Sequence, residues 1–314
     1  MRAAMSTVSD PSTLRPLGRT GMRIFPISYG MWRFAGTKAS DAEAKLQAAL
    51  EVGINLFDTA DIYGYTGDGG FGDAEALLGQ VFAKSPGLRE RMILATKGGV
   101  DAGVPYNSGH EYLIAACDDS LSRMRTDYVD LYQIHRPDLL AHPEEIARAL
   151  SRLYQDGKIR AVGVSNYTTA QVDALAHFLD IPLASHQPEI SAWHLDSLFD
   201  GTLDQCMRMH MTPLAWSPLG GGLLTMSAEA ARASDHPPRL AALIECLDRL
   251  AEDRDCDRVA IVLAFLLAHP AGIVPIIGTQ NLDRIRASAD ALSVSLTRRE
   301  WYELVQASMG KPLP

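Results

Sequence analysis

Met92–Lys97 (MILATK), Glu111–Met124 (EYLIAACDDSLSRM), Val129–His135 (VDLYQIH), Glu144–Gln155 (EEIARALSRLYQ) and Ala161–Ser165 (AVGVS) follow one another along the middle of the chain. The short apolar runs have the length of buried strands, and the longer segments between them suit helices. The segment ending at Gln155 stops just before Gly157, a common helix-terminating signal. Strand, helix, strand, helix, strand is the pattern of parallel pairing through right-handed crossovers.

Working outward, the same alternation continues in both directions. Upstream, Ile24–Gly30 reads as a strand, and Ser40–Leu50 as a helix with Ala42, Leu46, Ala49 and Leu50 at helical spacing. Asn55–Asp58 is the next strand and Ala74–Phe82 the next helix. Downstream, Ala184–Gln187, Thr212–Trp216 and Val274–Gly278 supply three more strands. Helices are expected at Ala170–Phe178, Leu203–Met209, Leu240–Arg254, Val259–Leu267 and Asn281–Leu292. Eight such units in a chain of 314 residues fit an α/β fold closed as a single-domain (β/α)8 TIM barrel, which typically needs about 250 residues. A six-stranded open sheet with an added domain is the competing architecture. No Pro/Gly/Ser linker divides the chain. Residues 1–15 read as a flexible N-terminal leader, rich in Ser, Ala, Thr and Pro, and residues 16–314 as the barrel.

Hydrophobic residues make up 47% and charged residues 21%, which excludes disordered and collagen-like chains. No apolar run approaches the roughly 20 residues that span a bilayer, and the N-terminus lacks a signal-peptide core. A cytoplasmic protein with no membrane partner is expected. The net charge of −9 argues against nucleic acid as a partner, because phosphate backbones require a basic surface. The four cysteines, Cys117, Cys206, Cys246 and Cys256, form no C-x-x-C pair and read as separate thiols. Metal chemistry is not expected without H-E-x-x-H or clustered histidines, nor is a serine hydrolase without G-x-S-x-G. Gly67, Gly69 and Gly72 satisfy G-x-G-x-x-G. They lie too far beyond the preceding strand for a dinucleotide fingerprint and read as a flexible surface loop.

Polar residues recur at one end of the expected strands. Asp58 ends the second strand and Tyr63 follows it; Lys97 ends the third and His135 the fourth. Ser165 and Asn166 end the fifth, Gln187 the sixth, Trp216 and Ser217 the seventh, and Gly278 and Thr279 the eighth. Active sites of such barrels lie at the C-terminal strand ends. Each residue also has a plain structural reading: Asp58 as a helix cap or turn former, Tyr63 as packing, Lys97 as a solvated terminus, His135 as a satisfied core histidine. Taken together they offer one chemistry. A tyrosine hydroxyl, ordinarily near pKa 10, is made a better acid by a neighbouring ammonium. A carboxylate keeps that ammonium charged, and a histidine orients a carbonyl oxygen for general acid catalysis.

The runs Asp58–Gly64 (DTADIYG), Leu94–Gly98 (LATKG), Asp130–Pro137 (DLYQIHRP), Gly157–Asn166 (GKIRAVGVSN) and Trp216–Gly222 (WSPLGGG) resemble the aldo-keto reductase family. The resemblance spans about Leu17 to the C-terminus with the motifs in family order. It is nearest a bacterial oxidoreductase branch, on Tyr29–Arg33 (YGMWR) and Gly201–Gln205 (GTLDQ). It implies that Tyr63 donates the proton, Lys97 tunes it, Asp58 partners Lys97 and His135 orients the carbonyl. It assigns the nicotinamide carboxamide to Ser165, Asn166 and Gln187, and the ring to Trp216. Ser217, Leu219 and Gly221 would line the pyrophosphate, whereas Gly278, Thr279, Gln280 and Arg284 would surround an adenosine 2′-phosphate. Met31 and Trp32 would also border the cofactor. Trp32 and Trp193, with the Tyr65–Gly72 loop, would wall an open substrate site.

Two departures stand out. Asn281 replaces the Lys or Arg of many members, and Ala287 and Ser288 replace a Glu-Asn pair at the adenine. Arg284 remains, with Arg286 nearby, so NADPH is expected over NADH. The resemblance implies a monomeric enzyme acting on a small-molecule carbonyl or alcohol: a reductase of an aldehyde, ketone or sugar. The alternatives are an NAD(P)+-dependent dehydrogenase of a sugar or pyridoxine-like alcohol, or a cofactor-binding regulatory subunit of the potassium-channel beta type.

Overall fold

A computed structural model describes residues 14–236 and 238–314. The expected leader lies almost wholly outside these residues. Its last member, Arg15, already belongs to the fold, as part of the two-residue strand Arg15–Pro16 that pairs antiparallel with Arg23–Ile24.

Eight strands close into a parallel barrel. They are β1 (Ser28–Gly30), β2 (Leu56–Asp58), β3 (Ile93–Gly98), β4 (Leu131–Ile134), β5 (Val162–Ser165), β6 (Leu183–Gln187), β7 (Thr212–Ala215) and β8 (Val274–Ile277). The apolar run expected as one strand at 24–30 is therefore split. Ile24 serves the hairpin, and the barrel strand begins only after Pro26, which has no N–H for a ladder. The hairpin closes the N-terminal end of the barrel. Leu17 and Ile24 are fully buried and cluster with the inward residues Leu56, Ala95, Leu131, Leu214 and Val274. A Cβ on Gly18 would stand 2.6 Å from the Ala184 backbone, so only glycine permits this plug.

Helices cover the barrel: α1 (Ala39–Glu51), α2 (Asp73–Lys84), α3 (His110–Met124), α4 (Pro143–Gln155), α5 (Thr169–Phe178), α6 (Thr202–Met209), α7 (Ala228–Arg232), α8 (Arg239–Glu252), α9 (Arg258–Leu267), α10 (Leu282–Ala287) and α11 (Arg298–Met309). The helix expected over 281–292 is broken. It is α10 followed by a 3-10 turn at Ser288–Ser293, and Ser288 bonds its hydroxyl back to Ile285 O. Helix α11 had no counterpart in the sequence reading, although Thr297 and Glu300 form a full capping box at its start. Among the described residues no helix is long and apolar enough to cross a membrane.

Candidate active site

The loop after β2 makes a tight turn, with Tyr63 N donating to Ala60 O, and it delivers Tyr63 above the end of β3. Lys97 is fully buried and uses all three of its N–H donors. Its Nζ donates to Asp58 Oδ2 at 2.6 Å, Thr59 O at 2.9 Å and Tyr63 Oη at 3.0 Å. Burial works against the ammonium, but Asp58 and Tyr63 outweigh it and raise the Lys97 pKa. The lowering expected for Tyr63 is present but is not the net result. Burial raises the phenol pKa more than Lys97 lowers it, so Tyr63 carries its proton near neutrality. His135 stands across from it, ring centroids 5.9 Å apart. Burial, with Lys97 and Arg136, holds its pKa well below 6.5, leaving a neutral ring with Nδ1 unpartnered.

The rim residues of the later strands form a second, connected set. Asn166 adopts a left-handed backbone, φ 59°, an uncommon strain for a residue other than glycine. Its Nδ2 donates to His135 O and Ser165 Oγ, and its Oδ1 accepts from Trp216 Nε1 at 3.0 Å. The Trp216 ring is thereby fixed above the barrel, with the Arg136 guanidinium 5.9 Å from its centroid. Ser217 is also left-handed, φ 49°, and opens a loop in which Gly221 and Gly222 have φ of 66° and 106°. No atom lies within 4 Å of the space a side chain would fill at either glycine, so their backbone can be approached closely. Gly278 is exposed beside Thr279 and Gln280, whose Oε1 is buried without a partner. Asn281 caps α10 by accepting from Arg284 N. The exposed Arg284 guanidinium makes no ion pair among the described residues, whereas Arg286 is taken by Glu51 at 2.9 Å.

The family model of the Aldo/keto reductase family matches residues 26–308. The chain belongs to the aldo-keto reductase family. It is 50% identical to the 6-dehydroglucose reductase of Novosphingobium aromaticivorans, over 99% of this chain and all of that one. It is 38% identical to the 6-dehydroglucose reductase of Agrobacterium fabrum, over 91% and 94% of the two chains. The solved glycerol dehydrogenase of Gluconobacter oxydans superposes with a TM-score of 0.81 at 27% identity, covering 98% of each chain. This aldo-keto reductase is an NAD(P)H-dependent oxidoreductase of small-molecule carbonyls, on a single-domain (β/α)8 barrel.

Met31 and Gln187, both expected at the cofactor, are buried in the reductase. The Met31 side chain is fully buried and belongs to the apolar cluster that also holds Tyr29, Phe34 and Leu46. The Gln187 side chain turns inward, its Nε2 donating to Asp58 Oδ1 at 2.9 Å. Trp32 is 64% exposed at the rim. Trp193 lies between His236 and Arg239, its Cβ beside Gly220, and so adjoins the loop that follows Ser217. The loop at Tyr65–Gly72 is tied to α3 by Arg123 over Phe71.

The sequence reading missed two groups in the reductase. Gln133 and Ser185 lie inside the barrel beneath the site. Gln133 shares its face with Leu131 and His135 by the two-residue period of a strand, which was the available signal. Asp61, inside the DTADIYG motif, has both carboxylate oxygens buried and unpartnered. Burial and the nearby Glu75 raise its pKa well above the ordinary carboxylate range.

Proposed function

We propose that this reductase uses NADPH to reduce the aldehyde of a sugar, such as 6-dehydroglucose, with Tyr63 as the general acid. The observation that carries the reading is the continuous chain from Tyr63 Oη through Lys97 Nζ to Asp58 Oδ2, at 3.0 and 2.6 Å. A general acid must hold its proton until the substrate takes it, and burial keeps the Tyr63 phenol protonated. As the proton leaves, the Lys97 ammonium, already hydrogen-bonded to that oxygen, stabilises the phenolate. Neutral His135 offers an N–H to the carbonyl oxygen and fixes its approach toward Tyr63.

The reduced nicotinamide, when bound, supplies hydride to the carbonyl carbon. Trp216, fixed by Asn166, would form the wall for its ring, with Ser165 and Asn166 at the carboxamide. The backbone at Ser217, Leu219 and Gly221 would take the pyrophosphate, and Gly278, Thr279, Gln280 and Arg284 the adenosine end. The fit rests on the open glycine backbone, the unpartnered Gln280 Oε1 and the free Arg284 guanidinium. Trp32 and Trp193 flank the entrance. The substrate class rests on the two similar 6-dehydroglucose reductases. We infer a monomer acting in the cytoplasm, and the four free cysteines accord with that compartment.

The Tyr63→Phe variant tests the assignment. It should bind NADPH with unchanged affinity by fluorescence titration and lose turnover of sugar aldehydes by about 10²-fold or more. Near-wild-type turnover in that variant would remove Tyr63 from the role.

A further inference from the structure

Small barrel interiors are filled mainly by branched apolar side chains, and the lower half of this one obeys that rule. One layer higher, the interior becomes polar. Ser185 Oγ donates to Gln133 Oε1 at 3.0 Å, and Gln133 Nε2 donates to Asp58 Oδ1 at 3.4 Å. Gln187 Nε2 donates to the same carboxylate oxygen at 2.9 Å. Gln133 and Ser185 are fully buried.

The backbone is shaped around this chain. A Cβ on Gly163 would meet Ser185 Oγ at 2.2 Å and Gln133 Cγ at 3.1 Å, so β5 leaves the space free. The β5–β6 register shifts between Val162 and Gly163, pairing them with Leu183 and Ser185, and the shift turns Ser185 inward. An apolar pair would fill the same volume without desolvating a hydroxyl and an amide. The hydrogen bonds instead lead to one atom, Asp58 Oδ1, which accepts only from the two glutamines among the described residues.

We propose that Gln133, oriented by Ser185, is a positioning residue of the reductase: together with Gln187 it holds Asp58 Oδ1, so that Oδ2 stays against Lys97 Nζ. The inference rests on the catalytic reading of Tyr63, Lys97 and Asp58. Ser185 matters because its hydroxyl occupies the amide oxygen, leaving only the N–H face toward the carboxylate. Without it the amide is free to turn and set oxygen against oxygen. A loosened Asp58 leaves Lys97 facing Tyr63, neutral His135 and Asp61, whose own burial works against its charge, in a site where burial favours loss of the Lys97 proton.

The test compares Gln133→Leu, Ser185→Ala and the double variant, with NADPH and D-glyceraldehyde as the assay pair. In Gln133→Leu, kcat should fall about tenfold or more with KM and NADPH affinity little changed, the signature of a lost charge-assisted hydrogen bond in the machinery. The alkaline limb of its kcat profile should move to lower pH. Ser185→Ala, the milder change, should move both in the same direction by less. It should add nothing in the Gln133→Leu background, since it acts through Gln133. A wild-type kcat and pH profile in Gln133→Leu, or additive losses in the double variant, would overturn the proposal. Tyr63→Phe measured alongside separates the two ideas. An active Tyr63→Phe removes both, whereas an inactive Tyr63→Phe with unperturbed Gln133→Leu removes only this one.

Discussion

Replacing Asp58 by asparagine keeps the shape of the site and deletes its one anion in contact with Lys97. In the native protein the Lys97 ammonium is fully buried, and its shortest bond, 2.6 Å, goes to Asp58 Oδ2. The other two bonds go to the neutral acceptors Thr59 O and Tyr63 Oη. The substituted amide also sets an N–H₂ group against Lys97 or against Gln187 Nε2, leaving a donor unpaired. Breaking a buried pair by removing one partner typically costs about 3–5 kcal/mol, and that is the loss expected here at pH 7.

The pH dependence carries the sign. In the native protein the folded Lys97 pKa lies above the unfolded value of 10.5. Its contribution is therefore complete below pH 10.5 and is lost as pH rises through the folded pKa. In Asp58→Asn, burial dominates and the folded pKa falls below the unfolded one. The unfolded chain then binds more protons, so the stability of the variant rises toward pH 10. The gap between the two proteins should accordingly narrow from pH 7 to pH 10. Urea unfolding at fixed pH values, followed by far-UV circular dichroism, measures it. A gap under about 1 kcal/mol at pH 7, small beside the loss expected for a broken buried pair, or one that widens with pH, would refute the reasoning.

Two further outcomes are expected. His186 is fully buried on β6, neither ring nitrogen has a well-formed hydrogen bond among the described residues, and burial holds its pKa down to about 4. Its neutral ring should contribute stability in full above pH 6.5 and lose roughly 3 kcal/mol of it as pH falls toward 4. The difference between wild type and His186→Leu across that window reads this directly, and a flat difference would dismiss it. Arg284→Ala should weaken NADPH binding about tenfold or more while sparing NADH, since only a 2′-phosphate needs the guanidinium. Equal weakening of both nucleotides in a fluorescence titration would move the phosphate partner elsewhere.

Much of the barrel was open to reading because each strand and helix has its own local period. MILATK and VDLYQIH are short and apolar enough to be strands wherever they occur, and both became barrel strands nearly as expected. The misreadings have local causes. Pro26 divides an apolar run that looks continuous, and Ser288 ends a helical pattern by bonding back to Ile285. Helix α11 announced itself by Thr297 and Glu300, a signal present but not used. The site residues were legible as strand-end polar groups, yet the inward turn of Gln187 and the burial of Met31 were not. Strand ends lose the strict alternation that tells inside from outside.

The sequence by itself determined the order of elements and the cluster of polar residues at one rim, because periodicity and chain order are local properties. Only the tertiary structure decided how those residues are charged and linked. Lys97 and Asp58 are 39 positions apart, and Gln187 and Asp58 are 129 apart. Closure of the barrel brings them within hydrogen-bond distance and removes the water around them. Proton affinity follows from that desolvation, which is why the phenol of Tyr63 and the carboxyl of Asp61 both end with their pKa raised. The polar layer of Gln133 and Ser185 is likewise a product of three dimensions, set by a register shift between neighbouring strands and a missing side chain at Gly163.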